Sequence, residues 1–174
     1  MSTKGYYETD KYVFFYGSFF SQWAKYDILI DNIKYNCCEQ YMMAEKARIF
    51  DDDNAFEQIM KSKDPSIQKS WGRKVKNFDK EKWEKRAKYI VETANYAKFT
   101  QYEDLQRMLL DTGDKIIVEA SPWDCVWGAG LKADDKRILD PKNWRGTNWL
   151  GEVIMGVRDL LMIQQAKGHL EQDW

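Results

Sequence analysis

Histidine is almost missing from this chain: His169 stands alone among 174 residues, in a polar stretch near the C-terminus. A Ser-His-Asp or Cys-His unit would have to use that single ring, and a zinc site built from several imidazoles is excluded. No metal and no cofactor are expected, and any catalysis falls to carboxylates, lysines or tyrosines. Cysteine is scarce too. Cys37 and Cys38 are adjacent, Cys125 is far away, and no Cys-x-x-Cys pair exists. That pattern does not make a disulfide framework, and reduced thiols in a cytosolic compartment fit it best. No apolar run is long enough to span a bilayer, and no signal peptide precedes the acidic, tyrosine-rich start, so a cytoplasmic protein without a membrane partner is expected. The net charge of −1 gives no global field to steer an acidic partner. Repeats, linkers and low-complexity segments are also lacking. One domain over residues 1–174 follows, with its core at about 12–163.

What is abundant is aromatic. Aromatics make up 15% of the chain and eight residues are tryptophan. Charge is unevenly placed. Between Lys61 and Lys88 stand eleven Lys and Arg against four Asp and Glu, a balance of +7, which leaves −8 elsewhere. Such a segment suits a phosphate-bearing partner, and it equally suits a solvated helix face with alternating charges.

Residues 12–16 are strand-like, and residues 27–36 read as a hairpin turning at Asp31-Asn32. Helical patterns begin at Glu39, at Asn54 and after Pro65. Asp79 caps a long helix whose stripe is Trp83, Ala87, Ile90, Ala94 and Ala97. A short helix carries Leu105 and Leu109, and residues 115–119 form a strand. A polar loop follows from Pro141 to Thr147. Asn148 then caps a last helix with Leu150, Val153, Val157, Leu160 and Leu161 facing inward. Gly151 and Gly156 lie inside that helix, where glycine costs about 1 kcal/mol against alanine, so each implies a close approach of backbone or ligand. The fold class is predominantly α (α+β): a multihelical domain with a small antiparallel sheet.

Two constellations carry chemistry. The stretch from Glu119 to Gly130 packs Glu119, Pro122, Trp123, Asp124, Trp127, Gly128 and Gly130 into a shaped loop. A charge beside flat apolar faces suits a pocket that stacks a ring and handles a proton; a loop plugged into the core by its tryptophans fits the same residues. Glu39 and Lys46, seven residues apart, return to nearly one helix face with Cα atoms about 10 Å apart along the axis. A carboxylate and an amine are what chemistry at an anomeric carbon requires, although a solvated surface pair has the same spacing. Within the basic segment, Trp71-Gly72-Arg73 offers a stacking ring and a phosphate ligand, or a buried tryptophan at a helix end.

In order along the chain stand FFYGSFFSQWAKY from Phe14, Glu39-Gln40-Tyr41, Ala44-Glu45-Lys46, Gly72-Arg73 with Val75, and Trp83. KFTQYEDLQRMLLDTGD follows from Lys98, then Glu119-Ala120-Ser121-Pro122, Asp124, Trp127-Gly128-Ala129-Gly130, Asn148 with Leu150-Gly151, and Val157-Arg158. This series resembles the NADAR family, which includes riboflavin-intermediate N-glycosidases, and it covers Phe14 to Leu161. Gln40 stands where histidine is frequent, and Cys37-Cys38 replace other residues; both bear on which substrate fits. The resemblance implies packed helices with a few strands and cleavage of the bond between a ribosyl C1 and an exocyclic amine. Some members act on riboflavin-pathway ribosylaminopyrimidine phosphates, and others remove ADP-ribose from guanine in nucleic acid. The expected catalytic residues are Glu39, Lys46 and Asp124. Expected substrate contacts are Trp71, Gly72, Arg73, Glu119, Trp127, Gly128 and Asn148. The expected partner is ADP-ribosylated DNA or a nucleotide-like small molecule, with no obligate protein partner; a module that binds ADP-ribose without cleaving it is the reading from another class.

Overall fold

A computed structural model describes residues 5–172, with side chains described through residue 167. In chain order the elements are β1 (Tyr6–Glu8), β2 (Tyr12–Phe15), β3 (Ile28–Ile30), β4 (Ile33–Tyr35), α1 (Cys38–Ile49), α2 (Asp53–Lys61), α3 (Pro65–Arg73), α4 (Lys80–Gln101), α5 (Glu103–Leu110), β5 (Ile116–Glu119) and α6 (Trp149–Gln172). The chain groups into two compact units. One is inserted, residues 22–101; the other has two segments, residues 1–21 and 102–174.

In the inserted unit, β3 and β4 form the expected antiparallel hairpin. Asp31 and Asn32 both have positive φ, 50° and 62°, which a two-residue turn matched to the twist of paired strands requires. α1 ends at the expected acidic break, where Asp51 turns left-handed. Asp52 then caps α2 through the Ala55 N–H and also accepts the Lys76 N–H, so one carboxylate ties two segments together. Asp64 and Pro65 start α3, and Asp79 accepts the Lys82 N–H in the first turn of α4. α1 packs against α2, α3 and α4. Trp83, Ala87, Ile90, Ala94 and Ala97 are all buried, as their spacing implies.

In the two-segment unit, β2 lies between β1 and β5. The expected single antiparallel sheet is therefore two sheets, and this one is mixed: β1–β2 is antiparallel, whereas β2–β5 is parallel, with Val13 beside Ile117. A parallel pair needs a long crossover, and the whole inserted unit stands in the sequence between these strands. All four β2 residues are buried, as a strand covered on both faces demands. The short strand β1 was not expected. The polar loop contains two short 3-10 turns, at Lys136–Leu139 and Pro141–Asn143. Leu160 is exposed rather than inward, and Ile154 is buried on the helix instead. The side chain of His169 lies outside the described residues.

The two helix glycines differ. A Cβ on Gly151 would overlap the carbonyl oxygen of Ile117, so α6 approaches β5 at backbone distance; a Cβ on Gly156 would meet nothing. The close approach expected at both holds only at Gly151. Gly151→Ala is expected to lose about 1–3 kcal/mol by overpacking, and Gly156→Ala to gain about 0.5–1 kcal/mol by helix propensity, both read from urea unfolding midpoints.

Candidate active site

The first turn of α1 carries Glu39, which is only 4% exposed. Its N–H donates to the Gln22 carbonyl at 3.0 Å, and the helix N-terminus favours a negative charge in that turn. Gln40 fixes this end of the helix. Its Oε1 accepts the Asn36 N–H at 2.7 Å, and its Nε2 donates to the carbonyls of Ile59, Met60 and Ser62. At Gln40, the departure expected to bear on substrate fit, the amide is thus occupied by backbone groups. The cysteines next to it are likewise internal. Cys37 Sγ donates to Gln68 Oε1 and Cys38 Sγ to the Ala94 carbonyl. Burial pushes the Cys37 thiol up to about 12, which makes it a poor nucleophile at neutral pH.

Two turns on, Lys46 is half-buried. Its Nζ lies 4.2 Å from the Phe78 ring centroid and 5.4 Å from that of Trp83. Burial is the main cause lowering the Lys46 pKa from its ordinary value; attraction to Glu39 opposes the shift and repulsion from Arg73 adds to it. Glu39 and Arg73 therefore both act electrostatically on Lys46. Arg73 is exposed at the end of α3, and Trp71 is half-buried with Lys74 Nζ 5.5 Å from its ring centroid. Gly72, expected to touch substrate, is buried against Met43, whose sulfur a Cβ would overlap. Its visible role is to let α3 approach α1 closely.

The residues expected near Trp127 belong to the two-segment unit. Asp124 Oδ1 accepts the N–H groups of Val126 at 2.9 Å and Trp127 at 2.7 Å, so this carboxylate shapes its own loop. Trp127 is half-buried and meets Trp149 edge to face at 5.7 Å. Trp123 is 84% exposed, so it does not plug the core. Asn148 does not cap α6 with its side chain as expected. Its Oδ1 accepts the Glu119 N–H and its Nδ2 donates to the Ile117 carbonyl, clamping β5. The first N–H groups of the helix instead reach loop carbonyls: Asn148 to Gly128, Trp149 to Val126 and Leu150 to Trp127. Loop and helix terminus thus satisfy each other, which explains why a glycine stands at position 128, where a Cβ would lie 3.0 Å from the carbonyl oxygens of Glu119 and Asp124.

Three residues escaped sequence reading. Phe78 follows Asn77, whose φ of 54° turns the chain so that the ring reaches Lys46. Trp83 was legible as core but not as a wall for an amine. Lys98 is fully buried on α4, where burial lowers its pKa and the thiols of Cys38 and Cys37 oppose the shift. The available signal was its place four residues after Ala94, on the apolar stripe. Among the described residues no group of His, Cys, Asp and Glu side chains is gathered to hold a metal ion, and no helix is long and apolar enough to cross a membrane.

The NADAR domain profile matches residues 6–162. The chain belongs to the NADAR family. An N-glycosidase of Acanthamoeba polyphaga mimivirus is 42% identical over 165 residues, covering 87% of this chain and 97% of the relative. N-glycosidase YbiA of Escherichia coli strain K12 is 29% identical over 150 residues, covering 86% and 84%. The NMR structure of the E. coli protein YbiA superposes with a TM-score of 0.74 at 26% identity, covering 93% of this chain and 91% of that one. The expected architecture of packed helices with a few strands is the one this NADAR chain has.

The two charges around Lys46 act in opposite directions. Removing the attracting carboxylate with Glu39→Gln is expected to lower the Lys46 pKa further, and removing the repelling cation with Arg73→Ala to raise it. An NMR titration of the lysine Cε resonances reads both signs.

Proposed function

We propose that this NADAR chain is an N-glycosidase that hydrolyses the bond between a ribosyl C1 and an exocyclic amine, using Glu39 and Lys46 as the reacting pair. The observation that carries the reading is a buried carboxylate interacting with an amine whose pKa is depressed by burial, both on α1. The names of the relatives, N-glycosidases, point to the same chemistry.

The step runs as follows. Lys46, as the free amine, adds to C1. A proton passes through Glu39 to the exocyclic nitrogen, the C1–N bond breaks, and the base leaves as its amine. The C1–O4′ ring bond then opens, O4′ taking the proton that the lysine nitrogen gives up, and the ribose remains as an open-chain imine on Lys46. Water then adds to the imine carbon, Glu39 takes its proton, and the C1–lysine bond breaks to release ribose carrying the water oxygen and regenerate the amine. The net change is one water consumed, with no oxidation. The lowered lysine pKa raises the share of Lys46 present as the free amine, the form that attacks.

The substrate proposed is ADP-ribose joined to guanine in DNA. The +7 balance of residues 61–88 favours a polyphosphate or nucleic-acid partner over a small monophosphate. Arg73 holds a phosphate and Trp71 stacks on a base in this reading. Asp124 contributes by shaping the tryptophan loop.

Purified protein is expected to release ADP-ribose from an ADP-ribosylated guanine oligonucleotide faster than it cleaves a ribosylaminopyrimidine phosphate, with products separated by chromatography. The reverse preference would move the assignment to the riboflavin-pathway substrate. Binding of ADP-ribose without cleavage of either would make the protein a binding module. Glu39→Gln is expected to lower kcat about 10²- to 10⁴-fold by removing general acid–base transfer, with the circular dichroism spectrum unchanged.

A further inference from the structure

The inserted unit carries a chain of adjoining grooves that Glu39 and Lys46 do not explain. One, of about 350 Å³, is lined by Trp23, Lys69, Arg73 and Lys74 among others. A second, of about 660 Å³, shares Trp23 and adds Lys25 and Lys63. Both are lined by Trp23, which is 41% exposed and has Lys69 Nζ 5.7 Å from its ring centroid. A third groove, of about 500 Å³, shares Lys25 and Lys63. Its other lysines are engaged, Lys34 with Asp27 at 2.6 Å and Lys61 with Glu57 at 3.3 Å.

In the first two grooves the charges are left available. Lys63, Lys69, Arg73 and Lys74 make no ion pair among the described residues. Lys25 acts on Asp64, the one carboxylate lining them, which is held below the usual range mainly by the Ser66 N–H at the start of α3. Cations spaced along a groove around an exposed indole match a strand that alternates phosphates with flat bases. Arg73, which lines the first groove, also acts electrostatically on Lys46.

We infer that the groove from Arg73 past Trp23 to Lys25 and Lys63 binds a single-stranded segment of the polynucleotide that carries the modified base. One base stacks on Trp23, while Lys69 and Lys74 on one side and Lys25 and Lys63 on the other contact successive phosphates. This rests on the reading of Glu39 and Lys46 as an N-glycosidase pair and extends it from the modified base to a surface that holds the flanking single strand.

The test uses the full chain and a fluorescein-labelled oligothymidylate about 12 nucleotides long, read by anisotropy across a salt series. Five cations predict a log–log salt slope of about −3.5, at about −0.7 for each neutralised phosphate. Replacing Lys25, Lys63 and Lys69 together with alanine is expected to reduce that slope by about 2. Trp23→Ala is expected to weaken binding about 5- to 100-fold. All four replacements spare the reacting pair, so release of ADP-ribose from an isolated modified nucleoside stays within about twofold of wild type, while kcat/KM on a modified oligonucleotide falls with binding. No binding of the oligonucleotide, an unchanged salt slope, or tighter binding of a duplex of the same length overturns the inference. Oligonucleotide binding that responds to the replacements, in a protein that cleaves neither modified substrate, sinks the proposed function and leaves the groove assignment standing.

Discussion

The account depends on keeping water away from one ammonium group. Lys46 sits against the faces of Phe78 and Trp83, and burial there outweighs the pull of Glu39, so its pKa falls. In water a carboxylate beside a lysine would do the opposite and hold the proton. Which effect wins decides whether the pair is an inert ion pair or a nucleophile with a proton carrier. In the proposed site the aromatic walls therefore matter as much as the two charges.

Those walls are held by ordinary packing devices. Gln40 anchors the start of α1 with three carbonyls and one N–H. Gly72 allows α3 to lie directly on Met43, bringing Arg73 into electrostatic range of Lys46. The Asn77 turn delivers Phe78 just before Asp79 begins α4. In the two-segment unit a different device is at work: the first N–H groups at the start of α6 donate to carbonyls of the tryptophan loop, which gives those otherwise orphan donors partners.

Much of this was legible in the sequence, for identifiable reasons. Asp31-Asn32 tolerates the left-handed turn of a hairpin, Asp79 and Pro65 mark helix starts, and the spacing from Trp83 to Ala97 gives a buried face. These are local signals, and they placed nearly every helix. Long-range pairing was not local: nothing in Tyr12–Phe15 announces a parallel partner a hundred residues away. The proposed pair, Glu39 and Lys46, was legible because one helix carries both. Phe78 and Lys98 were not, because a ring beside an amine depends on how α1 meets the turn before α4, and a buried lysine resembles an exposed one until the packing is known. Asn148 was read as a helix cap because its position suits one; its side chain serves the strand instead.

The most direct test is reductive capture of the reacting sugar. Borohydride added during turnover of an ADP-ribosylated guanine substrate, followed by peptide mass mapping, should place the reduced ribose on Lys46, and Lys46→Ala should neither be captured nor turn over. Full turnover by Lys46→Ala, with no sugar attached to wild-type protein, would contradict the account.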